Sequence, residues 1–166
     1  MTTLYLVRHG IAEEGLGIDD GVRQLTDEGR RRMGKVARGL KELGVQPQVF
    51  LASPLVRAQQ TAAILAAILA PRLAVETCAP LAIGGDLDEV LAELGAYRGM
   101  GEVMLVGHQP SLGELASLLL TGEPYRVPLP FKKGAVAAIE VGALPPRAPG
   151  ELLWFVPSKL LRGVVA

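Results

Sequence analysis

Short, continuously apolar segments constrain the fold of this chain more than any other feature. Three of them stand out, at residues 4–7, 49–52 and 103–106, and each is followed by Gly, Pro, His or Ser within a few positions. Strands that are buried on both faces have such uninterrupted apolar runs, whereas half-exposed strands alternate polar and apolar residues. We therefore predict parallel strands in a sheet that is covered on both faces.

Segments with helical periodicity separate these strands. Thr26 is a predicted N-cap for a helix that ends near Leu43, where Gly44 stops it. Ser53-Pro54 is the predicted N-cap and first residue of a second helix, which ends before Pro71. Apolar residues at helical spacing predict two more helices, over 86–96 and from Pro110 to about 119.

The end of the chain differs from this alternation. Residues 72–77 predict one more strand, and the last two predicted strands, 135–141 and 152–156, have only a loop between them. A pair joined in this way is expected to be antiparallel. The predicted fold class is therefore α/β, with a mainly parallel central sheet, helices on both faces and one antiparallel edge. A chain of 166 residues fits one such three-layer domain over 1–166.

Polar residues suited to an anion follow three of the predicted strands. Arg8-His9-Gly10 ends the first strand, Arg57 follows the second, and His108 follows the fourth. Ligands of open α/β sheets bind beyond the carboxyl ends of the strands. Because a guanidinium group matches the oxygens of a phosphate, these residues predict a phosphoryl site.

Three motifs resemble those of the histidine phosphatase superfamily, which includes the cofactor-dependent phosphoglycerate mutases. They are Leu-Val-Arg-His-Gly at 6–10, Ser-Pro-Leu-Val-Arg-Ala-Gln-Gln-Thr-Ala at 53–62 and Val-Gly-His at 106–108. The short chain, the segment 23–29 and the sparse region 78–100 look most like the SixA-type phosphohistidine phosphatases. The resemblance implies a phosphoglycerate mutase-like fold.

The resemblance also implies roles for four residues. His9 would be the nucleophile, with its other ring nitrogen fixed by a hydrogen bond to a loop carbonyl. Arg8, Arg57 and His108 would bind the phosphoryl oxygens, and His108 is expected to be protonated. No cofactor and no metal are expected, because these cations supply the positive charge.

Two further residues have two interpretations each. Asp86 lies where larger members of the superfamily carry a general acid, but it is also a suitable N-cap for the helix over 86–96. Arg23 either reaches the phosphate or forms a salt bridge with Asp19 or Asp20. The chain also departs from the commoner pattern after Gly10, where Ile11 replaces a polar residue.

The expected substrate is phosphohistidine on a protein, because a protonated imidazole leaves readily without a strong general acid. A phosphatase or mutase for small phosphoesters is the alternative enzyme, and a phosphate-binding interaction module is the non-enzymatic one. Six basic residues between positions 30 and 41 are either a solvated face or a docking face for an acidic protein.

Composition argues against several other classes of protein. Seventeen basic residues balance seventeen acidic ones, which argues against a nucleic-acid binder. One Cys and two His are too few for a structural zinc site. The apolar run at 62–70 is shorter than the about 20 residues of a membrane span, and residues 1–8 lack a targeting pattern. We therefore expect a cytoplasmic protein with no membrane association.

Overall fold

Residues 1–164 of the chain are described by a computed structural model; residues 165–166 of the predicted 1–166 domain lie outside the described part. Within 1–164, six strands form one sheet in the order β3-β2-β4-β1-β5-β6. The strands are β1 (Thr2–Arg8), β2 (Val49–Ala52), β3 (Val75–Thr77), β4 (Glu102–Gly107), β5 (Val136–Val141) and β6 (Glu151–Val156). The helices are α1 (Asp27–Glu42), α2 (Val56–Leu69), α3 (Leu87–Leu94), α4 (Ser111–Thr121) and α5 (Ser158–Gly163).

The pairing of the strands agrees with the predicted fold class. Strands β3, β2, β4 and β1 are parallel, whereas β5 runs antiparallel to both β1 and β6. The chain is a single α/β domain with a mostly parallel sheet and an antiparallel edge, as the apolar runs predict. Strand β3 begins at Val75 instead of Arg72, so it is shorter than expected.

Alternate residues of β1 point to the two faces of the sheet, and each face carries its own core. Leu4 and Leu6 pack into the core beneath α3 and α4. Tyr5 and Val7 pack into the core beneath α1, α2 and α5. Because both faces are covered, β1 carries apolar or aromatic side chains from Leu4 to Val7, and its first charged side chain stands at its carboxyl end. No helix in residues 1–164 is long and apolar enough to span a bilayer.

The ends of the predicted helices are mostly those that the capping residues indicate. The hydroxyl of Thr26 accepts a hydrogen bond from the Gly29 N–H, and Gly44 follows α1 with a φ of +80°. The prediction that Ser53 caps α2 is wrong, because that helix begins at Val56 after Leu55. Helix α5 was not predicted at all. It packs so closely on α1 that a side chain at Gly39 would collide with the carbonyl of Leu161.

Candidate active site

The loop after β1 holds His9 in one orientation. The ring is 5% exposed, and its Nδ1 lies 2.7 Å from the carbonyl oxygen of Gly10. A carbonyl can only accept, so Nδ1 carries the proton and donates. The Nε–H of Arg57 points at Nε2 of the same ring from 3.4 Å. With the proton on Nδ1, the lone pair of the ring is on Nε2. The hydrogen bond from Nδ1 to a loop carbonyl is the one that the resemblance implies.

A buried hydroxyl on α2 anchors this loop. The N–H of Gly10 donates to Oγ1 of Thr61 at 3.1 Å, and the hydroxyl of Thr61 donates to the carbonyl of Arg57 at 2.8 Å. Thr61 is fully buried. It lies one helical turn after Arg57, and that spacing within the second motif is the signal that could have identified it. The sequence analysis did not single it out.

Arg57 is buried, and its guanidinium group forms an ion pair with the carboxylate of Asp20, which lies in the loop between β1 and α1. Its two terminal nitrogens donate to the carbonyl oxygen of Asp20 at 2.8 Å and to Oδ2 of Asp20 at 3.1 Å. Arg23 pairs with the other carboxylate oxygen at 3.0 Å. Burial opposes ionisation of Asp20, but the two arginines outweigh it and lower the pKa of this carboxyl. Asp20 was considered only as a partner for Arg23.

His108 lies opposite His9, with 5.1 Å between the ring centroids. Its Nε2 is 2.7 Å from Oγ of Ser53, and both side chains are buried. The same hydroxyl accepts a hydrogen bond from the N–H of Leu55 at 3.2 Å. These two contacts explain the error about the helix start: Ser53 turns its side chain towards His108 and forms a local turn, and α2 begins three residues later.

Burial keeps both histidines neutral. Burial, which has the largest effect, and the nearby charges of Arg57 and Arg8 together lower the pKa of His9 to about 3, against the Gly10 carbonyl, which raises it. Burial also lowers the pKa of His108 to about 4, as do the charges of Arg57 and Arg8. In the ligand-free protein these effects disfavour the protonated His108 that the resemblance implies for the phosphate-bound site. A phosphate dianion beside the ring would shift its pKa back upwards.

Arg8 completes the group around His9. One terminal nitrogen donates to the carbonyl of Phe131 at 2.8 Å. Burial, and then the charge of Arg57, lower the pKa of Arg8, so the two guanidinium groups concentrate positive charge here. Among the described residues, Nε of Arg8 and Nδ1 of His108 are the buried side-chain nitrogens without a hydrogen-bond partner. Buried donors normally have partners, and an anion bound between these residues would supply them.

The two residues with open interpretations lie further out. Arg23 forms the predicted salt bridge with Asp20, and its charge also lowers the pKa of His108, so it stands at the edge of the site. Asp86 is exposed and caps α3, accepting a hydrogen bond from the Asp88 N–H at 2.8 Å. The structure thus gives Asp86 the capping position. The carboxylate whose charge raises the pKa of His108 is that of Asp20.

Comparisons with known proteins show the family to which the chain belongs. The family model of the histidine phosphatase superfamily (branch 1) matches residues 4–82. An uncharacterized protein of Picosynechococcus sp. is 40% identical over 144 residues, which are 84% of this chain and 86% of that protein. The phosphohistidine phosphatase SixA of Escherichia coli K12 is 31% identical over 138 residues, with 82% of this chain and 83% of that one covered.

Solved structures give the same relationship. The protein histidine phosphatase SixA complexed with tungstate superposes with a TM-score of 0.84 and 28% identity, over 96% of this chain and 99% of that one. A putative SixA from Nakamurella multipartitia superposes with a TM-score of 0.78 and 26% identity, over 93% and 95%. With its phosphoglycerate mutase-like fold, the chain belongs to the histidine phosphatase superfamily, is related to SixA, and has the activity of a phosphatase.

Proposed function

We propose that the protein hydrolyses phosphohistidine on a protein through a covalent phosphohistidine on Nε2 of His9. The observation that carries the proposal is the pair of contacts on this ring. The Gly10 carbonyl fixes the proton on Nδ1, and Arg57 approaches Nε2, so a lone pair faces the positive charge that would hold a phosphoryl group. The low pKa of His9 keeps Nε2 unprotonated throughout the neutral range.

The reaction has two steps. In the first, Nε2 of His9 forms a bond to phosphorus while the bond from phosphorus to the substrate imidazole breaks, and that imidazole leaves with a proton from solvent. In the second, the oxygen of a water molecule forms a bond to phosphorus while the bond from phosphorus to Nε2 breaks. The protons of that water leave with the phosphate or pass to solvent, and Nε2 recovers its lone pair. Arg8, Arg57 and His108 bind the phosphoryl oxygens in both steps and stabilise the charge that develops on them.

Two observations favour phosphohistidine over alkyl phosphoesters. A relative that is 31% identical carries the name phosphohistidine phosphatase. Moreover, the carboxylate considered as a general acid, that of Asp86, is exposed and occupied in capping α3. An alkoxide leaving group requires a positioned acid, which contributes roughly 10²–10⁴-fold, whereas an imidazole takes its proton from water.

The test compares three substrates: a phosphohistidine protein, a sugar phosphate and an aryl phosphate. We expect the first to be hydrolysed faster than the sugar phosphate, in the presence of a chelator as well as in its absence. Rapid quenching should trap phosphate on His9 in a form stable to alkali and labile to acid, and His9→Ala should lose both label and turnover.

A second variant separates the general acid from the rest of the site. Asp86→Asn should reduce phosphohistidine hydrolysis only modestly, since the amide oxygen still caps α3. The proposal is contradicted by faster turnover of sugar phosphates, by a fully active His9→Ala, or by an inactive but folded Asp86→Asn. If activity after chelation required added metal, this would contradict the proposal that the arginines supply the positive charge.

A further inference from the structure

A strongly basic cleft adjoins the site, and apart from Arg8 its residues take no part in the proposed chemistry. Its volume is about 400 Å³. Six cationic side chains and no carboxylate are among its lining residues, and we call it the basic cleft: Arg8, Arg32, Lys132, Lys133, Lys159 and Arg162. The floor also contains apolar groups, namely those of Ile11, Met33 and Pro157.

The register of the sheet places this cleft at the same edge as His9. Val7 at the end of β1 is opposite Val136 at the start of β5, which is opposite Val156 at the end of β6. The cationic segments 132–133 and 159–162 therefore emerge beside the carboxyl end of β1. Gly134 ties the first of them to the active-site motif, because its N–H donates to the carbonyls of Arg8 and His9 at 3.1 and 3.3 Å.

Most of the charge in the basic cleft is available to a ligand. Lys132, Lys133 and Lys159 are exposed, and within residues 1–164 none of them forms an ion pair. Arg32 is partly neutralised by Glu28, 2.6 Å away, and Arg162 donates to the hydroxyl of Ser158 at 3.0 Å. Like charges gathered in this way repel one another, and an anionic ligand would relieve that repulsion.

We propose that the basic cleft binds an acidic segment of the phosphorylated protein substrate, an inference that rests on the proposed function. Three exposed lysines are mobile point charges spread around an open cleft, which suits carboxylates along a peptide. The apolar floor suits the aliphatic parts of the same segment. A substrate with its phosphohistidine at His9 would extend directly into this cleft, so the contact selects acidic proteins and speeds their encounter.

The first test measures binding without turnover. The probe is a fluorescent peptide rich in glutamate and leucine, with a matched peptide that has glutamine in place of each glutamate. Anisotropy at low ionic strength should show tighter binding of the glutamate peptide to the native protein. The triple variant Lys132→Glu, Lys133→Glu, Lys159→Glu should weaken that binding about tenfold or more, because attraction becomes repulsion.

A triple variant with the same change of net charge is the control. Arg38→Glu, Lys41→Glu and Arg72→Glu alter exposed residues outside the basic cleft, and should leave binding of the glutamate peptide within about twofold. Equal loss in both triple variants would reduce the effect to net charge and overturn the proposal. It is equally overturned if the cleft variant binds like the native protein, or if the native protein does not prefer the glutamate peptide.

Turnover provides a second readout and separates this inference from the proposed function. With phosphohistidine in both peptides, the cleft variant should raise KM about tenfold for the glutamate form only, and leave kcat and aryl phosphate hydrolysis within about twofold. If the native protein hydrolyses aryl phosphate but neither phosphopeptide, the proposed substrate is wrong. The binding measurement then still decides whether the basic cleft recognises acidic segments.

Discussion

Replacing Thr61 by Val tests whether a buried hydroxyl sets the geometry of His9, the proposed nucleophile. Valine has nearly the shape of threonine, so the volume of this fully buried site is kept. What is lost is the acceptor for the Gly10 N–H, at 3.1 Å, and the donor to the Arg57 carbonyl, at 2.8 Å. The chain between His9 and Gly10 then loses its fixed contact with α2.

The cost follows from the burial of these groups. Gly10 is buried, so its N–H would remain without a partner, which costs about 1–3 kcal/mol. For a domain of this size, each kcal/mol lowers Tm by roughly 2–4 °C. The Gly10 carbonyl also orients Nδ1 of His9, so a shift of this loop should reduce kcat by roughly tenfold or more.

Thr61→Ser is the matched control, because it keeps the hydroxyl and removes the methyl group. Both variants should lose stability in urea unfolding. Thr61→Ser removes a buried methyl group, which contributes about 1 kcal/mol, and Thr61→Val leaves the Gly10 N–H without a partner. Only Thr61→Val should lose kcat on aryl phosphate. If the serine variant is the inactive one, or if both retain full activity, then packing rather than the hydroxyl positions His9 and the argument fails.

Three further outcomes are expected. Ser53→Ala removes the partner of His108 Nε2, 2.7 Å away, and should lower kcat roughly tenfold with a smaller change in KM, which steady-state kinetics would measure. Asp20→Asn removes the charge that occupies Arg57, so inorganic phosphate should inhibit about two- to fivefold more strongly, and unchanged inhibition would show that the carboxylate does not compete. Stability should be nearly constant between about pH 7 and 8 and fall below about pH 6.5. Below that pH, His9 and His108 bind protons in the unfolded chain but stay neutral in the folded protein, where their pKa values are about 3 and about 4. The slope should approach about 1.4 kcal/mol per pH unit for each histidine, and pH-independent urea unfolding between pH 7 and 5 would refute their neutral burial.

The sheet could be predicted from the sequence because its strands leave a strong signal. Burial on both faces forces continuous apolar runs, so β1, β2 and β4 are evident in the sequence. The strand ends are the first positions where polar side chains are tolerated. Arg8, His9 and His108 therefore stand out there, and the structure brings them together with Arg57.

The groups that support the site left a weaker signal. Ser53 precedes a proline and looks like a helix cap, yet its hydroxyl is used by His108. Asp20 looked like one acidic residue in a polar loop, yet it pairs with Arg57, 37 positions away. Hydroxyls and carboxylates of this kind serve equally well as caps, turn residues or partners of a distant group. Their use depends on the tertiary fold, which places the loop over α2.

The run of basic residues along α1 predicts a docking face as one alternative, but some of these side chains bind groups in the helix or next to it. Arg30 donates to the carbonyl of Leu25, and Arg32 pairs with Glu28. Of that run of basic residues, only Arg32 lines the basic cleft. Arg8 lies 24 positions before it, the four other cations of the cleft lie 100 or more positions after it, and they come together through the register of β1, β5 and β6. A basic surface built across an antiparallel edge therefore leaves no continuous charge run in the sequence, and its place beside His9, the proposed nucleophile, is the reason that we propose a role for it in binding the substrate.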